Sequence, residues 1–213
     1  MICMKRLIIF DVDGTLFDIS IYIRELIYDI SKEHSIIPPT EEEIEELRKL
    51  SFKEIIKYFK IPWYRLPFVI VNIRKSLHKL RNNMRPVKGM VDAVHSLHSN
   101  GFRMAIVTSN TEENIHDTLA LFPDVFDNIV SSVHPFGKDS AIRSLIRSLH
   151  IDIDDVIYVG DELRDFEACK KIGLDCICVT WGINSKEAFL RMKAPHIVSN
   201  MKEFSKIILS FRS

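Results

Sequence analysis

The sequence predicts an α/β fold, a doubly wound parallel sheet that is interrupted by an all-helical insert. Four short apolar runs are continuous rather than alternating, which is typical of strands buried on both faces of a parallel sheet. These runs are residues 7–10, 104–107, 156–159 and 176–179, and a weaker run at 128–130 predicts a fifth strand. Helical patterns separate the runs, and this alternation favours helices on both faces of the sheet.

The helical patterns consist of apolar residues that recur every three or four positions. The first of them ends at Asn100 and Gly101, a pair that is typical of a helix C-terminus. The apolar faces of the three helices are Val91, Val94 and Leu97; Ile115, Leu119 and Phe122; and Ile142, Leu145, Ile146 and Leu149.

Residues 18–85 differ from the rest of the chain because they contain no convincing buried strand. We therefore expect an α/β core made of residues 1–17 and 86–213, and a helical insert made of residues 18–85 that follows the first strand. Several patterns predict the helices of this insert. They are the helical spacing of Ile23, Leu26, Ile27 and Ile30, the capping boxes Thr40 with Glu43 and Ser51 with Glu54, and a long apolar-faced segment after Pro67.

The bulk composition argues against several classes of function. The 213 residues carry 29 Lys and Arg against 29 Asp and Glu, whereas nucleic-acid-binding domains usually carry a basic excess. No apolar run approaches the roughly 18 residues of a membrane-spanning helix. The four cysteines form no disulfide or metal-binding pattern, which fits a reducing compartment. We expect a cytoplasmic protein, a monomer or weak homodimer, that binds neither nucleic acid nor a membrane.

Polar and charged side chains follow three of the predicted strands and begin one helix. They are Asp11 and Asp13 after the first strand, Thr108 and Ser109 after the second, Lys138 at a helix start, and Asp161 and Asp165 after the third. In open parallel sheets, ligands bind beyond the carboxyl ends of the strands, so we expect these side chains to share one crevice. Thr108 and Ser109 are expected to contact a bound phosphate there.

The charges in this crevice predict phosphoryl-transfer chemistry. Clustered carboxylates repel each other, and Mg²⁺ relieves that repulsion because it prefers hard oxygen ligands; Asp11 and Asp161 are the expected carboxylate ligands. A carboxylate can attack phosphorus and form an aspartyl-phosphate. Asp13 can then protonate the leaving oxygen and later activate water. Lys138 can neutralise the phosphate oxygens, and the Thr108 hydroxyl can donate to one of them.

The same residues resemble the four motifs of the haloacid dehalogenase superfamily, and they occur in the same order. The motifs are the string from Asp11 to Leu16, Thr108 after an apolar strand, Lys138, and Gly160 and Asp161 followed by Asp165. Within the superfamily, the chain is most similar to the phosphoglycolate phosphatase-like branch. The presence of Asp13 argues against the dehalogenases, which do not carry that acid.

The resemblance implies a Rossmann-like core with a helical cap inserted after the first strand. It implies that Asp11 is the nucleophile and that Asp13 is the general acid and base. It also implies a Mg²⁺ ion held by Asp11, the backbone carbonyl of Asp13 and Asp161, with Asp165 nearby.

Two positions depart from the usual motifs, and they leave the substrate more open than the reaction. Asp139 follows Lys138 where a proline is common, and Glu162 stands where a small hydroxyl residue is common. We expect a phosphoric monoester hydrolase whose partner is a small organophosphate, either phosphoglycolate-like or a sugar phosphate. A phosphosugar mutase on the same scaffold and a phosphorylation-switched signalling module are the alternatives.

Overall fold

A six-stranded parallel sheet forms the centre of the molecule. The computed structural model describes residues 6–20, 22–34, 36–80, 83–131 and 137–211. The strands of the sheet are β1 (Leu7–Phe10), β4 (Arg103–Thr108), β5 (Asn128–Ser131), β6 (Val156–Gly160), β7 (Asp175–Val179) and β8 (His196–Val198). Their order is β5-β4-β1-β6-β7-β8, and each neighbouring pair is parallel. The predicted α/β fold with a parallel sheet is therefore confirmed.

The four continuous apolar runs and the weaker fifth run all form strands of this sheet. The sequence pattern did not predict β8. It contains three residues at an edge of the sheet, and only Val198 among them is fully buried. A strand this short has no apolar run that distinguishes it from a loop.

Helices cover both faces of the sheet because the side chains of a strand alternate between its faces. Ile8 and Phe10 pack in one hydrophobic cluster, and Leu7 and Ile9 pack in the other. The helices of the first face are α5 (Met90–Ser99), α6 (Glu112–Leu119) and α10 (Met201–Ser210). Those of the second face are α7 (Lys138–Ser148), α8 (Leu163–Ile172) and α9 (Lys186–Arg191).

The described residues of the helical insert form four α-helices, in agreement with the sequence patterns. They are α1 (Ile23–His34), α2 (Glu41–Leu47), α3 (Phe52–Tyr58) and α4 (Leu66–Leu80), with a 3₁₀ turn at Trp63–Arg65. Both predicted capping boxes are present, at the starts of α2 and α3. The side chains of Leu26 and Ile30 lie outside the described residues. Within the described part of the chain, no helix combines the length and apolar character needed to cross a membrane.

A short antiparallel ribbon joins the insert to the core. It pairs β2 (Phe17–Asp18) with β3 (Arg85–Pro86), and Val87 N donates to Leu16 O beside it. The sequence pattern did not predict this ribbon, because each of its strands has only two residues. The ribbon spans both expected boundaries between core and insert, and the division at these points stays a prediction.

Candidate active site

The charged side chains that follow β1 and β6 meet the lysine that begins α7. Lys138 Nζ lies 2.7 Å from Asp11 Oδ2 and 2.5 Å from Asp165 Oδ1. Asp11, Asp161 and Asp165 are buried and bring carboxylate oxygens within 4.8 Å of one another. The structure thus brings together four of the residues that the sequence analysis selected.

The protonation of Lys138 follows from its neighbours. Burial by itself would lower the pKa of this amine, but the charges of Asp11 and Asp165 outweigh burial and raise the pKa above its ordinary value. Lys138 is therefore a permanent cation. It faces Asp11 and Asp165, while the third carboxylate of the cluster, Asp161, is bound by other donors.

Asp161 is held by neutral donors from two loops. Thr15 Oγ1 donates to its Oδ1 at 3.0 Å, and Ile183 N donates to its Oδ2 at 2.7 Å. Gly14 and Gly182 leave room for this carboxylate, since a Cβ atom at either position would collide with it. Burial first, and then the charge of Glu162, raise the pKa of Asp161 well above its usual range.

Asp13 lies at the edge of this cluster and has a distinct environment. Asn110 Nδ2 donates to its Oδ2 at 2.9 Å, whereas its Oδ1 is buried and accepts no hydrogen bond from the described residues. Burial and then the charge of Asp11 raise the pKa of Asp13 to about 7. A carboxyl group with this pKa exchanges its proton near neutral pH, as a general acid and base must.

Thr108 and Ser109 lie at the carboxyl end of β4, beside β1. The Thr108 side chain is buried, and its Oγ1 accepts a hydrogen bond from Asn110 N at 3.1 Å. Ser109 borders the crevice together with Asp11 and Asp13, and its carbonyl accepts a hydrogen bond from Arg74 Nε at 3.2 Å. Ser109 therefore borders the crevice, whereas Thr108 is buried next to it in the chain, and the predicted phosphate contacts of both residues stay predictions.

Glu162 and Arg164 form a second charged pair at the crevice. Arg164 Nη2 and Nε donate to the two carboxylate oxygens of Glu162 at 2.7 Å and 2.8 Å. The guanidinium also lies over the ring of Phe52, at 4.8 Å from its centroid. Glu162, the departure from the usual motif, thus neutralises an arginine that faces the insert.

Asn184 and Arg48 connect the insert to the loop that holds Asp161. Asn184 Nδ2 donates to the carbonyls of Arg48 and Leu50 at 2.9 Å each, and its Oδ1 accepts from Leu163 N at 2.8 Å. The Arg48 guanidinium donates to the carbonyls of Gly182 and Ile183 at 3.2 Å each. The same short loop therefore contacts both the insert and the acidic cluster.

Several residues that hold the site have no role predicted from the sequence. Asn110 was missed although the sequence carries a signal for it, because it directly follows Thr108 and Ser109 at a strand end. Thr15 lies inside the first motif but was given no role of its own. Arg48 and Asn184 had no local signal, since their contacts join residues more than a hundred positions apart.

The fold and this crevice define a protein of the doubly wound α/β class that carries an acidic cluster and a buried lysine at the carboxyl edge of its sheet. The model of the haloacid dehalogenase-like hydrolase family matches residues 8–179. The chain therefore belongs to that family, and the predicted hydrolase class is confirmed.

Relatives with known names are similar over most of the chain. A phosphoglycolate phosphatase from Synechococcus elongatus is 25% identical over 86% of this chain and 87% of its own length. The pyrophosphatase PpaX of Halalkalibacterium halodurans is 24% identical over 68% of this chain and 70% of its own. A solved structure described as a predicted phosphatase from Clostridium acetobutylicum is 25% identical, with a TM-score of 0.81 over 97% of this chain and 99% of its own.

Proposed function

We propose that the protein is a Mg²⁺-dependent phosphatase that hydrolyses a small phosphate monoester through an aspartyl-phosphate on Asp11. The observation that carries this proposal is the meeting of Asp11, Lys138, Asp161 and Asp165 in one buried cluster, with Asp13 at its edge. The phosphatase names of the relatives support the reaction class.

Asp11 is the proposed nucleophile because its orientation is fixed on both sides. Its Oδ1 accepts a hydrogen bond from Val12 N at 2.8 Å, and its Oδ2 contacts Lys138. A carboxylate oxygen of Asp11 attacks phosphorus, and the bond between phosphorus and the leaving oxygen breaks. Lys138, Thr108 and Ser109 are proposed to bind the phosphate oxygens during this step.

Asp13 is the proposed acid and base of both half-reactions. In the first, its carboxyl group gives a proton to the leaving alcohol oxygen. In the second, the resulting carboxylate takes a proton from water, whose oxygen attacks phosphorus and releases inorganic phosphate and Asp11. Two features of Asp13 support this assignment: its pKa of about 7, and its buried Oδ1, which accepts no hydrogen bond from any residue that the structure describes.

The acidic cluster fits a hard divalent cation. Its ligand atoms are carboxylate oxygens, and the single lysine at the cluster does not compensate three buried acids. Asp11, Asp161, Asp165 and the backbone carbonyl of Asp13 are the proposed ligands. When bound, Mg²⁺ would reduce the repulsion between these carboxylates and an incoming phosphate.

The proposal is tested by measuring phosphate release from a panel that includes 2-phosphoglycolate, sugar phosphates and alkyl phosphates. Each compound is assayed with Mg²⁺ and with a chelator. We expect the chelator to abolish turnover and Asp11→Asn to lower it by roughly a thousandfold or more. Asp92→Asn is the matched control, because Asp92 is exposed on α5.

Three outcomes would contradict the proposal. Turnover in the chelator would exclude the metal requirement, and an active Asp11→Asn variant would exclude the nucleophile. Conversion of a sugar phosphate to its isomer without phosphate release would identify a mutase instead.

A further inference from the structure

An apolar chamber opens from the acidic crevice into the helical insert. Its volume is about 230 Å³, and both Asp11 and Asp13 border it. All four helices of the insert contribute apolar side chains to its wall. The chamber residues that matter here are Ile23, Ile27, Ile44, Leu47, Ile55 and Ile73.

The polar residues of the chamber wall lie at its core end. Asp11, Asp13, Ser109, Glu162, Arg164 and Asn184 all belong to the core, and the remaining polar residue, Arg48, is bonded to the core loop after β7. The chamber thus has one charged end, where the phosphate is expected, and one apolar end. A substrate that fills it must have the same two ends.

The two arginines of the chamber wall already have partners. Arg164 is paired with Glu162 through two hydrogen bonds, and Arg48 donates to backbone carbonyls and to Glu45. Among the described wall residues, these are the only cationic side chains. A second anionic group on the substrate would therefore lose its water without gaining an unpaired cation, which is unfavourable.

An apolar group that enters this chamber gains free energy, in contrast to an anionic group. A methylene group that leaves water for an apolar site gains free energy in proportion to the area it buries. The volume is ample, since an apolar cavity of about 150 Å³ accepts a benzene ring. We propose that the alcohol part of the substrate is an alkyl or an aryl group that enters the chamber while the phosphate binds at Asp11. This inference rests on the proposed function and names its substrate class.

A series of alkyl phosphates tests the proposal on the unmodified protein. We expect kcat/KM to rise about threefold for each added methylene, and so by roughly 100-fold from ethyl to hexyl phosphate. A flat or falling series would overturn the inference.

A matched pair of esters tests whether the chamber prefers an apolar group to a carboxylate. Isobutyl phosphate and 2-phosphoglycolate have leaving groups of the same size and branching, but only the second carries a carboxylate. We expect the isobutyl ester to react at least tenfold faster in kcat/KM. A faster reaction of 2-phosphoglycolate would overturn the inference and would point to Arg74, which lies beside Asp13 and Asn110 in a smaller adjoining cavity.

A variant that fills the chamber provides the structural test. Ile55→Trp places a bulky ring in the chamber wall. We expect the ratio of kcat/KM for hexyl phosphate to kcat/KM for ethyl phosphate to fall at least tenfold. Ile37→Trp is the control, because Ile37 belongs to the insert but is 89% exposed and lies outside the chamber. An unchanged ratio in a folded Ile55→Trp variant, as judged by its melting temperature, would contradict the inference.

A binding measurement separates this inference from the proposed reaction. Hexylphosphonate and ethylphosphonate are not hydrolysed, so they report binding alone. If the chamber binds the alkyl chain, hexylphosphonate should raise the melting temperature of the protein more than ethylphosphonate does. If no ester reacts but hexylphosphonate stabilises more, the proposed function fails while the chamber preference stands. If esters react but the two phosphonates stabilise equally, the chamber preference fails and the proposed function stands.

Discussion

The core and the helical insert organise polar and apolar groups in opposite ways. In the core, the acids and bases of the crevice are buried, and most of their polar atoms have hydrogen-bond partners at 2.5 to 3.2 Å. In the insert, short helices surround an apolar chamber, while Trp63 and Phe68 are 80% and 66% exposed. The difference supports the two proposals together: the paired charges of the core would carry out the reaction, and the unfilled apolar volume of the insert would select the substrate.

The largest expected effect comes from removing the cation at the centre of the core crevice. Lys138→Met leaves Asp11 and Asp165 buried without their partner, and we expect a loss of about 3 to 5 kcal/mol in the free energy of unfolding. Urea denaturation in a chelator measures this loss. Lys171→Met is the control, because Lys171 is 71% exposed in its pair with Asp139 and should cost less than about 1 kcal/mol. Equal losses in the two variants would mean that the core charges are not as tightly coupled as their distances indicate.

A smaller effect is expected at the junction between the two regions. Asn184→Ala removes the hydrogen bonds to the carbonyls of Arg48 and Leu50 and to the amide of Leu163. We expect a loss of about 2 kcal/mol in the free energy of unfolding, because these buried groups are left without partners. We also expect a lower kcat/KM, since the loop at Asn184 positions Asp161 through Ile183 N.

The control for this junction is Asn100→Ala, an asparagine that is exposed at the end of α5. It should change the free energy of unfolding by less than about 0.5 kcal/mol and leave kcat/KM unchanged. If Asn184→Ala lowers stability without affecting kcat/KM, the junction supports the fold but does not position the acid.

The smallest effect is expected at a helix start in the insert. Thr40→Ala removes the N-cap of α2 and should lower the free energy of unfolding by about 1 kcal/mol, whereas Thr40→Ser keeps the hydroxyl and should not. The hydrogen bond from Thr40 N lowers the pKa of Glu43, so the contribution of the capping box is complete above the ordinary pKa of Glu and disappears as the pH falls. Urea denaturation at neutral and acid pH measures the effect of each substitution and the pH dependence of stability. Because the bond from the backbone N of Thr40 does not need the Thr40 side chain, its pH dependence is tested by Glu43→Gln, which should lose less stability toward acid pH than the unmodified protein; equal losses would contradict the assignment.

The sequence predicted those features that local patterns encode. Buried parallel strands are continuous apolar runs, and residues that directly follow them must lie at one edge of the sheet, so Asp11, Thr108 and Asp161 were found together. Capping boxes were found because their two residues are three positions apart. β8 was missed because a three-residue edge strand carries almost no pattern.

Long-range contacts and empty volume were not predictable in this way. The hydrogen bond between Asn110 and Asp13 joins residues that are 97 positions apart, and the one between Thr15 and Asp161 spans 146 positions. The spacing of Ile23 and Ile27 indicates that one face of α1 is apolar. It does not indicate that this face meets an unfilled chamber, because a void depends on the volumes of many side chains at once.

The ribbon of β2 and β3 has a consequence for how this scaffold can be altered. Phe17 and Asp18 pair with Pro86 and Arg85, so the two ends of the predicted insert lie side by side. A helical segment of another length or shape therefore needs only to match the spacing of two paired strands. The helices between the two strands of the ribbon can therefore be exchanged for others without displacing β1 or Asp11.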